Sequence, residues 1–167
     1  MKYAAWVFLI VLCAVAQSLF NTYLPVYLAP NMCLMLTAYI TFFFEYYPAV
    51  ASMLVLSYAA SIFSTGSVWF YIFSYTAVFY LMIFVKKYFD RSQGVAIVAI
   101  ASISTLLYPV VVLVLSLFSR HLILFHSAAI AALQQIPVNV AFAYLLFKYL
   151  PLMSRRFTSR LIGQNVS

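Results

Sequence analysis

Four long stretches of this chain carry no Lys, Arg, Asp or Glu: Tyr3 to Phe44, Tyr46 to Val85, Ser92 to Ser119 and His121 to Phe147. Such material cannot cover a water-facing surface. A soluble domain draws about a quarter of its residues from the charged types, against 7% here, with 68% hydrophobic residues and a mean hydropathy of +1.09. The solvent of this chain is lipid. Hydrocarbon offers no partner to an exposed backbone amide, so a spanning chain is either helical or a closed barrel, and uninterrupted apolar runs belong to helices. The expected fold class is all-α.

A spanning helix takes about 20 apolar residues. Each of the first two stretches therefore holds two helices and a turn, and each of the last two holds one. The turns fall at NTYLPVYLAPN (Asn21 to Asn31) and STGS (Ser64 to Ser67), where proline, asparagine and glycine gather. The sequence predicts a compact bundle of six transmembrane helices at about 3–20, 32–47, 49–64, 68–85, 95–118 and 122–148. They form one transmembrane domain over 1–153, followed by a basic tail over 154–167.

Loops rich in Lys and Arg stay in the cytoplasm. With the N-terminus inside, Lys2, Lys86, Lys87, Arg91, Lys148, Arg155, Arg156 and Arg160 all fall on inner segments, and only Arg120 falls on an outer loop. Both termini are thus expected in the cytoplasm. Lys86, Lys87, Arg91 and the three tail arginines act as topology anchors, the tail lying on anionic lipid at about 1 kcal/mol per charge. So short a basic tail does not suggest nucleic acid. Ala14-Val15-Ala16 before Gln17 has the form of a signal-peptide cleavage site, but the apolar run continues through Phe20, which favours a retained anchor.

Chemistry needs an acid, a base or a nucleophile held by a partner. The carboxylates, Glu45 and Asp90, both map to cytoplasmic turns, so no spanning segment carries the acid that a proton-coupled pump relies on. His121 and His126 stand five apart, on different helix faces, and not at the i, i+4 spacing of a zinc pair. Cys13 and Cys33 form no metal or redox spacing. No phosphate-binding loop or nucleophile elbow is present. The reading is a non-enzyme without cofactor, catalytic residue or metal.

The polar residues within spans are fewer and more telling. Pro109 and Pro137 each remove a backbone donor and crowd the carbonyl four residues back, at Thr105 and Leu133. Gln134, Gln135 and Asn139 should therefore turn toward protein, and the last helix should bend at Pro137 or begin along the interface near LILFHS. Ser57 with Ser61, Ala60 with Ser64 and Ala128 with Ala132 repeat small residues at i, i+4, which lets helices approach closely. Trp6, Trp69, Tyr46, Tyr47, Tyr88 and Tyr149 lie near span ends, as headgroup-level aromatic rings do. Pro30 keeps Ala29 extended, and Asn31 is a fitting N-cap for a helix starting at Met32.

This Pro-Asn start, in APNMCLMLTAY, opens a pattern that resembles the MreD-type rod-shape-determining membrane proteins of bacteria. The family has a short first span, a P-N or P-D pair opening an apolar helix with a central Tyr, and a small-residue helix ending in a Gly-containing outer turn (LSYAASIFSTGS here). An aliphatic helix with a Tyr-Leu close follows (YTAVFYLMIFVKK), then a polar residue ahead of a proline-containing last helix and basic residues (LQQIPVNVAFAYLLFKYL, then SRR). The likeness is best over 24–90 and looser over 128–160. It departs at Ser57 and Ser61, where the family usually has Gly and Asp.

The resemblance implies an adaptor in the inner membrane, part of the cell-elongation and peptidoglycan-synthesis machinery. Such an adaptor binds an MreC-type scaffold and connects elongation-specific wall synthases with actin-like filaments. It also implies a fold similar to the substrate-binding subunits of energy-coupling-factor transporters. On this reading Pro30, Asn31, Tyr39, Thr65 and Gly66 are the candidate partner contacts. The alternative is a vitamin-binding subunit of such a transporter, with Tyr23, Tyr27, Arg120, His121 and His126 around an outward cavity.

Overall fold

The structure, a computed structural model, describes residues 2–25, 28–63, 67–88, 94–118 and 125–157. The described chain is helical throughout: α1 (Lys2–Tyr23), α2 (Met32–Phe43), α3 (Tyr46–Ile62), α4 (Val68–Lys86), α5 (Gly94–Phe118) and α6 (Phe125–Phe157). Stretches of α1, α4, α5 and α6 are long and apolar enough to cross a membrane, while α2 and α3 are shorter apolar helices of 12 and 17 residues.

The bundle is built around an axle. α2 packs against every other helix, and α1, α3, α4, α5 and α6 follow one another around it. Burial follows from that position. Cys33 to Phe42 are all buried, because an axle has no side left for lipid. Between apolar helices in lipid the attraction comes from close packing and interhelical polar contacts more than from water exclusion. The small residues supply the closeness: Ser57 and Ser61 are buried on α3, and each hydroxyl bonds back to its own helix, at the Met53 and Tyr58 carbonyls.

Two boundaries differ from the sequence expectation. α2 ends at Phe43, with Phe44 extended at φ −95°, ψ 154°, and α3 begins at Tyr46, ahead of Pro48. Pro48 is therefore in the first turn of α3, where a missing N–H costs nothing, and it opens a helix where the sequence suggested a break between helices. α6 runs through Pro137 to Phe157 and so takes in the first residues of the basic tail, including Arg155 and Arg156. At about 1.5 Å per residue its 33 residues exceed any bilayer core.

Trp6 is also not where its type suggested. It is buried, donates from Nε1 to Ser52 Oγ at 3.0 Å and packs on the Phe44 ring at 4.7 Å. A serine on α3 leaves room for the indole and gives its N–H a partner. The other end-zone aromatics, Trp69, Tyr46, Tyr47, Tyr88 and Tyr149, are exposed.

The last turn of α2 leaves carbonyls that no helical N–H reaches. Lys86 Nζ donates to one of them, Thr41 O, at 2.7 Å. A cation on a helix C-terminus in a partly buried setting contributes up to about 2 kcal/mol. Lys86→Met is accordingly expected to lower stability by about 1–2 kcal/mol, read as a drop in the detergent midpoint for unfolding. An unchanged midpoint would mean the ammonium is only a topology anchor.

Candidate functional site

α2 is about 18 Å long at 1.5 Å per residue, well short of the roughly 30 Å of hydrocarbon. Its ends therefore lie inside the bundle, and their unpaired backbone groups need protein partners. At the N-terminal end the partners come from three directions. Asn31 caps its own helix, Oδ1 accepting the Leu34 N–H at 3.0 Å. The Met32 N–H reaches Gln17 Oε1 of α1 at 2.5 Å. The Asn31 N–H donates to Asn139 Oδ1 of α6 at 2.7 Å, and Asn139 Nδ2 donates to Thr105 Oγ1 of α5 at 3.0 Å. Thr105 Oγ1 in turn donates to the Ala101 carbonyl at 2.7 Å, and Gln17 Nε2 donates to Asn21 Oδ1 at 3.0 Å. One polar network thus ties α1, α2, α5 and α6 together, and its members Asn139 and Thr105 are fully covered by protein.

Over this end of the axle lies a cavity of about 340 Å³. The lining includes amides and a hydroxyl, from Gln17, Ser18, Asn21, Asn31 and Gln135. It also carries Tyr71, Tyr75 and Tyr108 with Pro109 and Val112. The tyrosine rings form a run, with Tyr71 and Tyr75 at 6.4 Å and 23°, and Tyr75 and Tyr108 at 5.6 Å and 37°. The described lining contains no Lys, Arg, His, Asp or Glu. At the other end of α2 a second hollow of about 360 Å³ is lined by Thr41, Phe44, Tyr46, Ala49, Phe79, Ile83, Lys86 and Lys87.

The sequence-selected residues fall into distinct places. Pro30 is buried and Asn31 half-buried, both committed to the start of α2. Tyr39 is 1% exposed, among the Phe43, Phe44 and Phe147 rings. Thr65, Gly66, Arg91 and Arg160 lie outside the described residues, as do Asp90, Tyr27, Arg120 and His121. Asn139 and Gln135 turn inward as expected of them, and Pro109 lines the cavity, whereas Gln134 and Pro137 are exposed on the outer face of α6. Gln135 and Asn139 are one helical turn apart and so share a face. Gln134 is rotated out of it. Tyr23 is 79% exposed and is not among the described residues lining the cavity.

Sequence reading passed over Gln17, Asn21 and the three cavity tyrosines. The one signal available was Tyr71 and Tyr75 at i, i+4, with a third tyrosine just before Pro109. Among the described residues no group of His, Cys, Asp and Glu is placed to hold a metal ion. What the cavity lining offers is recognition through amides, phenols and ring faces.

An all-helical bundle with long apolar spans and a polar network at the end of a buried axle is a multi-pass membrane protein. No protein-family model, no curated protein and no solved structure matches the chain.

Proposed function

We propose that the chain is a non-enzymatic adaptor of the bacterial cell-elongation machinery. It sits in the inner membrane with six spans and both termini in the cytoplasm, and it binds an MreC-type scaffold beside the wall synthases. The observation that carries this reading is the bond from Asn31 to Asn139, across 108 residues of sequence. Asn139 stands two residues after Pro137 in the LQQIPVN stretch, so the bond joins the Pro-Asn start to the proline-containing last helix, two segments that both belong to the MreD-type resemblance. Here they are two halves of one joint. Commitment of Pro30 and Asn31 to the start of α2 makes them shapers of the outer edge, and the exposed apolar side chains around that edge, Leu28, Phe63 and Trp69, are the surface a scaffold would touch.

The test is a gentle-detergent pull-down of the full chain with its co-purifying proteins identified. A single-span periplasmic scaffold and wall synthases are the expected result. Leu28→Arg with Trp69→Arg should cut scaffold recovery about tenfold or more, as loss of a central interface contact does, with membrane insertion intact. Cysteine probes at Thr65 and Arg120 should label from outside and a probe at Lys87 should not; labelling at Lys87 overturns the topology.

The 340 Å³ cavity favours a second reading, the substrate-binding subunit of an energy-coupling-factor vitamin transporter. Recovery of paired ATPases with a helical coupling subunit would establish that reading in place of the adaptor.

A further inference from the structure

We infer that the cavity over the N-terminal end of α2 is a binding site for a small, uncharged ring compound, a nitrogen heterocycle whose edge presents a donor beside an acceptor. The inference rests on neither reading of the bundle's role, since an adaptor can be tuned by such a ligand and a transporter subunit can carry it.

Size comes first. A cavity of about 340 Å³ is at the lower end of the range for small-molecule sites, roughly 300–1,000 Å³. A buried water needs two to four polar partners, and a dry cavity is one with apolar walls. Here the lining is mixed: amides and a hydroxyl from Gln17, Ser18, Asn21, Asn31 and Gln135, and the tyrosines Tyr71, Tyr75 and Tyr108 with Pro109 and Val112. Several polar atoms are already taken, since Gln17 uses both ends of its amide and Asn139 and Thr105 bond each other.

A flat ring suits both kinds of lining at once. The Tyr71–Tyr75–Tyr108 run is an aromatic cluster in the lining, and aromatic rings prefer offset-stacked or edge-on neighbours. Asn21 stands at the exposed rim with its Oδ1 accepting from Gln17. A primary amide sets donors beside an acceptor, the pattern with which Asn and Gln read the edge of a heterocyclic base.

Charge is excluded by what the described lining contains. No cationic or anionic side chain is present. The positive end of the α2 dipole, otherwise suited to an anion, is covered by the oxygens of Asn31, Gln17 and Asn139. An unpaired charge in such a setting is heavily penalised.

The experiment uses the full chain in lipid nanodiscs. Lumichrome, adenine and nicotinamide serve as neutral probes, with adenosine monophosphate and nicotinate as charged counterparts, titrated by calorimetry. In parallel, chain taken directly from native membranes is extracted and its small molecules are read by mass spectrometry. A retained neutral heterocycle, or saturable binding of a neutral probe with its charged counterpart at least tenfold weaker, is the expected result. Ala132→Phe, which fills the cavity, should weaken binding at least tenfold while the chain still unfolds at or above its normal temperature. Asn21→Leu at the rim should do the same without touching the core. No retained molecule and no probe binding would overturn the site, as would equal binding of charged probes or binding unmoved by both variants. Scaffold recovery in the pull-down is a separate readout, so failure of the site leaves the adaptor reading standing.

Discussion

Asn139→Leu is expected to be among the most damaging single substitutions in the chain, lowering stability by about 2–4 kcal/mol, an order of magnitude built from one orphaned N–H and one lost interhelical bond. Asn139 is 0% exposed and bonds the Asn31 N–H at 2.7 Å and Thr105 Oγ1 at 3.0 Å. Leucine fills much the same space, so packing is largely kept and the loss isolates the hydrogen bonds. The Asn31 N–H, at the mouth of a helix that ends inside the bundle, would be left unpaired, at about 1–3 kcal/mol. Losing the Thr105 contact adds about 0.6 kcal/mol, the mean for polar pairs between membrane helices. Gln134→Leu, on the exposed face of the same helix, should stay within about 0.5 kcal/mol of the parent. Unfolding by denaturing detergent reads all of these. A Thr105→Val partner completes a double-mutant cycle, in which strict additivity would show that Asn139 and Thr105 are uncoupled, while an Asn139→Leu chain as stable as the parent would show that the network contributes nothing.

That network also marks where sequence reading stops. The Asn31 cap was legible because a cap is local: an amide three residues ahead of the N–H it accepts needs no knowledge of the fold. The inward turn of Asn139 and Gln135 was legible because lipid tolerates few polar side chains. What each amide bonds to was not, since Gln17 meets Met32 and Asn31 meets Asn139 only once six helices have taken their places. The cavity was hidden for a related reason. Its lining is drawn from all six helices, so residues far apart in sequence had to meet before it existed. The early stop of α2 was hidden too, since the uncharged run continues through Phe44, and a proline in a first turn and a proline after a last turn look alike in one dimension. Trp6 was read as a headgroup anchor for want of Ser52, the partner on α3 that lets an indole lie buried.

Tyr39 separates packing from partner contact more sharply than any other residue, and two substitutions there are expected to move in opposite directions. Its ring is stacked on Phe43 at 4.7 Å and meets Phe147 edge-on at 5.4 Å, with the residue 1% exposed. Tyr39→Ala should cost about 3–5 kcal/mol, as aromatic deletions in close-packed interiors do, because α2 is enclosed on every side and no helix can close over the void. Its hydroxyl has no hydrogen-bond partner among the described residues. Burying such a group is unfavourable, so Tyr39→Phe should leave stability unchanged or raise it by up to about 1 kcal/mol. The second variant therefore tests the partner role without disturbing the fold. If the Tyr39 hydroxyl bonds a scaffold, Tyr39→Phe will lose that scaffold in the pull-down while unfolding normally. The axle position of α2 leads to the other expectation, full scaffold recovery, with the docking surface out at Leu28, Phe63 and Trp69, where apolar side chains are exposed.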